Sequence, residues 1–491
     1  MLYPTELWAV RLRHAGGDLI SLPERPGHDV MRHIRVIGDY SARACQIHAR
    51  PFGSSPPLRA SAFASRLQTW RNALMNEIER EQRFGAHNYA PLPVVLSHAK
   101  GVWVWDVEGN RYLDMMSAYS AVSHGHAHPR LVAALTAQAQ RLAVVSRAFY
   151  TDRLGAFLER LCDLTTLGGA LPMNTGAEAV ETAIKAARRW GYSVKRIPAE
   201  KAEIIVADGN FHGRTTTIVG FSSEPAYRAD FGPFAPGFVR VPYGDIDAVR
   251  AAITPNTCAV LFETIQGEGG IVVPPDGFLR GLRQLCTEQN VLMLLDEIQS
   301  GLGRTGRWFA YQHEGIVPDG IMLGKALGGG LLPVSAFVAR RDIIDLFEPG
   351  SHGSTFGGNA LAATVALEAL DVMADEDLPG RSAEMGEYLL SRLHAIHSPL
   401  IREVRGRGLW AGIEIDPARA DAHDLSMRML RRRVLAKETR STVLRLAPPL
   451  VIERTEIDTC ISALKAVLAE AEHDVSAPTS STRDSSPARR R

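Results

Sequence analysis

"VLMLLDEIQSGLGRTG" (291–306) runs five apolar residues straight into a carboxylate, Asp296, and then into a set of glycines. A short apolar run without alternation marks a strand buried on both faces, the habit of parallel sheets. The carboxyl ends of such strands form the ligand crevice of an open α/β sheet. Asp296 therefore either caps the next element or meets a cationic ligand atom, and capping is the commoner role of an isolated aspartate there. The glycines of "GLGRTG" (301–306) match the dinucleotide fingerprint G-x-G-x-x-G letter for letter. That fingerprint needs its first glycine directly after the strand and a helix opening at its third. Here Asp296 to Ser300 intervene, and "RWFAYQHEG" (307–315) shows no clear helical run. An NAD site is disfavoured, and the glycines read as a turn leading the chain away from the crevice.

Similar short apolar runs recur at "AEIIVAD" (202–208), "CAVLFETI" (258–265) and "IMLG" (321–324), with helical patterns such as 174–195 between them. Strands spaced by helices predict a mostly parallel α/β sheet. "KGVWVWDVEGNRYLDM" (100–115) carries a hairpin signal around Asp106 to Gly109. After about residue 375 the texture changes to helices with short strands ("GLWAGIEI", 408–415), which predicts a smaller α+β domain. No internal repeat is visible. The chain thus divides into an extension (1–74), an N-terminal segment joining the small domain (75–129), a large domain (130–375), the C-terminal small domain (376–473) and a disordered tail (474–491).

The chain's 491 residues, 45% hydrophobic, suffice for a large core and more than one domain. The net charge of +1, from 55 basic and 54 acidic residues, points to neither nucleic acid nor a membrane surface as partner. No apolar run approaches the ~18 residues of a spanning helix. Cys45, Cys162, Cys258, Cys286 and Cys460 are scattered without C-x-x-C, which fits a reducing compartment rather than a disulfide or zinc framework. Residues 1–74 hold ten arginines, no lysine and five acidic residues. Such a composition fits an organellar transit peptide, which would place the protein in the mitochondrial matrix. The plainer reading is an extension upstream of a start at Met75, with a cytoplasmic protein.

Three further features carry chemistry. Lys325, in "MLGKALGGG" (322–330), follows a short apolar strand and is ringed by glycines. It is either an exposed loop lysine or a Schiff-base lysine whose pKa burial lowers. Thr175-Gly-Ala-Glu178 is a capping box before an apolar-periodic run. Gly176 and Ala177 would also leave backbone N–H groups open to a phosphate at a helix N-terminus. His124, His126 and His128 in "HGHAHP" (124–129) would share one face of a strand, as in some metal sites. No acidic cluster accompanies them and Pro129 cuts the strand short, so no metal is expected. A phosphate cradle, an imine-forming lysine and an acid that keeps a ring nitrogen protonated together specify pyridoxal 5'-phosphate (PLP).

With "LLDEIQSGLGRTG", "LGKALGGGLLPVSA", "MNTGAEAVETAIK" and "GNFHGRT" in view, the sequence resembles the class III aminotransferases of PLP fold type I. Among them it is most similar to the branch acting on ornithine, through "GAHNYAPLPV" (85–94), "SAYSAVSHGHAHP" (117–129), "SRAFY" (146–150), "FGPFAPGF" (231–238), "HGSTFGGN" (352–359) and "LRLAPPLVI" (444–452). The resemblance covers about residues 75–470. It implies a large PLP-binding domain with a mostly parallel seven-stranded sheet flanked by helices, plus a smaller α+β domain. It also implies a homodimer with shared active sites, and L-ornithine and 2-oxoglutarate as substrates of an activity lying between arginine catabolism and proline biosynthesis. The relatives acting on acetylornithine or 4-aminobutyrate are the alternative; a non-catalytic PLP binder is disfavoured by the intact set of site residues.

Residue by residue, the resemblance puts Lys325 at the Schiff-base position and Asp296 at the pyridine nitrogen. Gln299 falls at the ring hydroxyl, Gly176 and Ala177 at the phosphate, Phe211 on the ring face, and Glu263 among the cofactor-binding residues. Thr355 would contact the phosphate from the neighbouring subunit. Tyr89 and Arg214 would grip the α-carboxylate of ornithine, with Tyr119 selecting ornithine over other ω-amines. Glu268 and Arg445 would form a switch, the glutamate masking the arginine until 2-oxoglutarate binds. The chain departs from the family pattern at Thr264, where proline is usual, and at His212, where animal ornithine enzymes tend to carry tryptophan. It departs again at Glu438 and Arg440, which add charge on the approach to Arg445.

Overall fold

The computed structural model describes residues 11–13, 19–21 and 77–476. The readings of Met75 as a start and of a transit peptide fall outside the described residues. Within the stretch read as an extension, Arg11–Arg13 and Leu19–Ser21 pair antiparallel. The C-terminal tail was expected from 474, but the helix Arg454–Ser476 carries the chain three positions further. By contact the chain divides into 1–93 and 94–491, and every sheet and core described below belongs to the second unit. The first unit contributes the helix Glu77–Phe84, acidic in its first turn and basic in its last, as the helix dipole favours.

A seven-stranded sheet forms the centre. Its spatial order is Gly169–Met173, Ser335–Ala339, Gly320–Leu323, Leu292–Asp296, Thr257–Glu263, Glu203–Ala207 and Phe238–Val241. Ser335–Ala339 alone runs opposite to the other six strands. The expected mostly parallel sheet is therefore present, and the strands legible as apolar runs lie at its middle. Their side chains alternate between two cores. Val260, Phe262, Met293, Leu295 and Ile321 pack on one face, while Ala259, Leu261, Leu292, Leu294 and Met322 pack on the other beneath the helix Gly176–Ser193. Both faces are covered, so the strands need no polar alternation.

The register Asp296↔Glu263 and Asp296↔Met322 aligns the carboxyl ends of three neighbouring strands. The helix Gly176–Ser193 opens at that same edge. Its capping box is formed: Thr175 Oγ1 accepts from the Glu178 N–H, and Glu178 Oε2 accepts from the Thr175 N–H.

A second sheet of four antiparallel strands, Ile401–Gly406, Ala411–Ile415, Val443–Leu446 and Lys437–Thr439, lies in the C-terminal region. Ile413, Ile415, Leu444 and Leu446 pack into the core with residues of the helices Leu378–His394, Ala422–Arg431 and Arg454–Ser476. A third sheet joins Val434–Leu435 to Arg111–Asp114, Trp103–Asp106 and Leu96–Lys100. The hairpin expected at 100–115 is there, turned by Asp106, whose Oδ1 accepts from the Glu108 and Asn110 N–H groups. Among the described residues, no helix is long and apolar enough to cross a membrane.

Candidate active site

Gly176, Ala177, Phe211, Glu263, Asp296, Gln299 and Lys325 line a single cavity of about 210 Å³ at the carboxyl edge of the central sheet. Sequence positions up to 149 residues apart (176 to 325) are brought together because strand ends and a helix start share that edge. Lys325 follows the strand Gly320–Leu323 with φ 45°, a left-handed conformation uncommon outside glycine. Gly324 makes room: a Cβ there would meet Ile298 at 3.3 Å and the Gly176 Cα at 3.7 Å. Burial lowers the lysine's pKa, and the charges of Asp296, Glu268 and Glu263 oppose the shift.

Asp296 is buried. Its Oδ1 accepts from the Ile298 N–H at 3.0 Å, and its Oδ2 lies 2.7 Å from His212 Nδ1. Burial works against a charged His212, yet its hydrogen bond to Asp296 and the charges of Asp296 and Glu263 carry its pKa above the ordinary histidine value. The aspartate is thus both a cap and a member of a buried pair. Glu263 accepts from the Phe211 and Gly267 N–H groups at 3.0 and 3.1 Å, and burial pushes it up to about 7. Its part is to pin the loop that carries Phe211. Gln299 Nε2 and His212 Nε2 are buried polar atoms without a hydrogen-bond partner among the described residues. An aromatic phosphate with a ring hydroxyl fits this arrangement, since the cavity lining combines a helix N-terminus at Gly176 and Ala177 with Gln299 and Asp296.

A second group lies close enough for Lys325 to feel its charges. Arg445, fully buried, donates from Nη1 to Glu268 Oε1 at 2.5 Å. Its guanidinium also lies 4.5 Å from the centre of the Tyr119 ring. Tyr119 sits in a run of four left-handed residues, Ser117 to Ser120, with φ of 40°, 46°, 60° and 73°. None is glycine. A left-handed conformation costs an L-residue roughly 1–2 kcal/mol, so the turn stores several kcal/mol that other contacts must offset.

Arg214 is exposed. Its guanidinium lies over Tyr227 at 3.6 Å and near Phe211 at 5.5 Å, not on a carboxylate. Thr355 is exposed and does not line the cavity. Tyr89 belongs to the first unit, where it is exposed.

The charged departures near Arg445 separate because the chain leaves the strand Lys437–Thr439 and turns at Arg440, which takes φ 50°. Glu438 turns to His423 and Lys437. Arg440 turns inward, donating to Glu224, to the Gly209 carbonyl and, from Nε at 3.3 Å, to the Glu268 carbonyl. Thr439 Oγ1 donates to the same carbonyl at 2.9 Å. The added arginine therefore anchors the backbone of Glu268 and leaves its carboxylate paired with Arg445.

The histidines do not share a strand face. His124 Nε2 meets the Ala369 carbonyl, His126 pairs with Asp114, and His128 pairs with Glu376. Glycine at 125, with φ 82°, turns the chain between them. Among the described residues no set of three or more candidate ligands converges.

Other buried groups carried no local signal. Glu297 is raised to about 7 by burial and accepts four hydrogen bonds, from Thr264 Oγ1, Ser300 Oγ and the Ala310 and Tyr311 N–H groups. The unusual Thr264 thus supplies a donor that proline cannot. Thr264→Val should lower stability by about 1–2 kcal/mol, because one lone pair of a buried carboxyl loses its partner. Urea denaturation would read this as a lower midpoint, and Thr264→Ser should restore it; an unchanged midpoint for the valine variant would remove the role.

The model of the family "Aminotransferase class-III" matches residues 84–468. An ornithine aminotransferase of Exiguobacterium sp. is 56% identical over 394 residues, covering 80% of this chain and 98% of the relative. A solved ornithine aminotransferase of Toxoplasma gondii, whose description records partial occupancy of PLP at its active site, superposes with a TM-score of 0.81 at 40% identity. It covers 84% of this chain and 98% of that one. A solved acetylornithine aminotransferase of Elizabethkingia anophelis gives 0.73 at 44% identity, covering 80% and 98%.

Proposed function

This chain belongs to the class-III aminotransferases, and from that premise we infer that it is an ornithine δ-aminotransferase. It moves the δ-amino group of L-ornithine to 2-oxoglutarate in two half-reactions, giving glutamate and glutamate 5-semialdehyde, which closes to pyrroline-5-carboxylate. The observation that carries this reading is the meeting of Lys325, Asp296 and the Gly176–Ala177 turn in one cavity, with a masked arginine beside it.

PLP, when bound, supplies the aldehyde that receives the amino group and the ring that draws electrons from the bond being broken. The chain supplies the rest. The Gly176 and Ala177 N–H groups would hold the phosphate at the helix N-terminus. Gln299 Nε2 would donate to the ring hydroxyl, Phe211 would cover the ring face, and Asp296 would keep the ring nitrogen protonated. Lys325 Nζ would take the proton from the substrate carbon that bears the amino group and deliver it to the carbon of the cofactor's aldehyde. Arg214 would hold the α-carboxylate of ornithine so that its δ-amine leads. While Glu268 neutralises Arg445, the pocket presents no second carboxylate clamp. Once Glu268 swings aside, Arg445 can bind 2-oxoglutarate. The protein would work as a homodimer, with Thr355 completing the neighbour's phosphate site. Exposed Phe149, Tyr150 and Phe356 support this, on stretches tied together by the Leu361 N–H and the Ala143 carbonyl. Buried free Cys258, Cys286 and Cys460 fit a reducing compartment, and the cytoplasm is the proposed location.

Steady-state kinetics on a panel of amino donors tests the assignment. Ornithine should have the highest kcat/KM with 2-oxoglutarate as acceptor. Faster turnover of acetylornithine would transfer the protein to that branch, which the 44% identical acetylornithine enzyme keeps in view. Tyr119→Ile should open the pocket to donors without an α-amino group and raise relative activity on 4-aminobutyrate about tenfold or more. An unchanged ornithine-to-aminobutyrate ratio would remove Tyr119 from substrate selection.

A further inference from the structure

Two motifs singled out in the sequence are not used by the mechanism: the arginine of "GLGRTG" and the middle histidine of "HGHAHP". Both lead to the left-handed turn that carries Tyr119. Arg304 is completely buried and has no ion-pair partner among the described residues. Its Nη1 donates to the Leu409 and Pro448 carbonyls at 2.9 and 2.6 Å. Its Nη2 donates to Ser117 Oγ and Ser123 Oγ at 3.2 and 3.1 Å. Ser117 Oγ in turn donates to the Ala447 carbonyl at 2.6 Å. From the other side, Asp114 Oδ1 accepts from the Met116 and Ser117 N–H groups, and His126 Nε2 lies 2.7 Å from Asp114 Oδ2.

These bonds fix both partners of one contact. Ser117 begins the strained turn, and Ala447 lies two residues past Arg445. The same guanidinium therefore clamps the turn bearing Tyr119 to the segment that follows Arg445, where the ring and the guanidinium meet at 4.5 Å. A left-handed run without glycine does not persist by itself; released, it relaxes toward ordinary φ values and takes Tyr119 with it. A buried guanidinium is costly to desolvate, and here three of its four bonds, to Ser117, Ser123 and Pro448, converge on this junction.

We propose that Arg304 is a positioning residue for substrate selection, locking the Ser117–Ser120 turn so that Tyr119 is held against Arg445. The proposal rests on the reading of Tyr119 as the selecting residue. Its mild test is Ser117→Ala, which removes the hydroxyl shared by Arg304 and Ala447 and leaves a side chain of similar size. The kcat/KM ratio of ornithine to 4-aminobutyrate should fall about tenfold, while the visible absorbance of the PLP-loaded protein is unchanged. Arg304→Lys, which keeps the charge and loses the planar fork, should move the ratio in the same direction; where it accumulates unfolded, Ser117→Ala decides. In a Tyr119→Ile background, Ser117→Ala should have no further effect on the ratio, since both changes act through one ring. If Ser117→Ala lowers the melting temperature and leaves the ratio intact, Arg304 is a structural staple and the proposal is overturned. An additive effect in the double variant overturns it equally. If Tyr119→Ile itself leaves the ratio unchanged, the failure belongs to the functional reading of Tyr119.

Discussion

Lys325→Ala is expected to abolish ornithine turnover, by roughly 10⁴-fold or more, while the protein folds and still takes up PLP. The size follows from the two proposed roles lost at once: covalent capture of the aldehyde and proton transfer from the substrate's amine-bearing carbon to the aldehyde carbon, the second alone worth up to about 10⁴-fold. Retained binding follows from geometry, because the helix N-terminus at Gly176 and Ala177, Gln299 and Asp296 all remain in the cavity. Folding should survive because burial already disfavours the charged form of Lys325, so alanine removes a group that is costly to bury when protonated. The measurement has two parts. Attachment through Lys325 should give the wild type an imine absorbance, which the variant should lose while showing the spectrum of free PLP. Turnover with ornithine should fall to background. A variant that kept even a tenth of wild-type activity would show that another group performs both roles.

The convergence of Asp296, Lys325 and the Gly176–Ala177 turn on one cavity was legible because it is written in local patterns. The apolar run 291–295 ends at Asp296, the run 321–323 ends just before Lys325, and the capping box marks the helix start beside them. Strand ends in a parallel sheet share an edge, so three local signals became one site. The network around it was hidden for the opposite reason. Arg304 reads as a loop residue among glycines, yet its partners lie 105 to 187 positions away. Glu297 follows Asp296 in sequence, but strand alternation turns it away from the cavity toward Thr264 and the Ala310 and Tyr311 N–H groups. The turn 117–120 contains no glycine, so its left-handed backbone leaves no mark in the residue types. The histidine run failed as a strand because Gly125 and Ala127 take positive φ and send the side chains to separate partners. Long-range clamps have no periodicity, and tertiary contacts rather than propensity hold them.

Asp296→Ala is the experiment on which the reading of "VLMLLDEIQSGLGRTG" turns. The aspartate does two things that would fail differently. As a cap it accepts from the Ile298 N–H, and losing that bond would cost about 1 kcal/mol of stability without touching catalysis. As the proposed partner of a protonated ring nitrogen it would stabilise charge where the reaction needs it, a contribution of about 3–4 kcal/mol, or about 10²–10³-fold in kcat. The geometry favours the second role. The carboxylate is buried, faces the cavity, and has its other oxygen held at 2.7 Å by His212. A mere cap needs no buried histidine behind it. The variant should therefore bind PLP through Lys325 and turn over ornithine about 10²–10³-fold more slowly. Asp296→Asn separates charge from shape, since it keeps the size of the side chain and removes its negative charge. If both variants lose kcat alike, the charge is what matters. If Asp296→Ala melts lower but transaminates at nearly the wild-type rate, the aspartate is only a cap, and the carboxyl edge of this sheet loses its claim to be the cofactor's site.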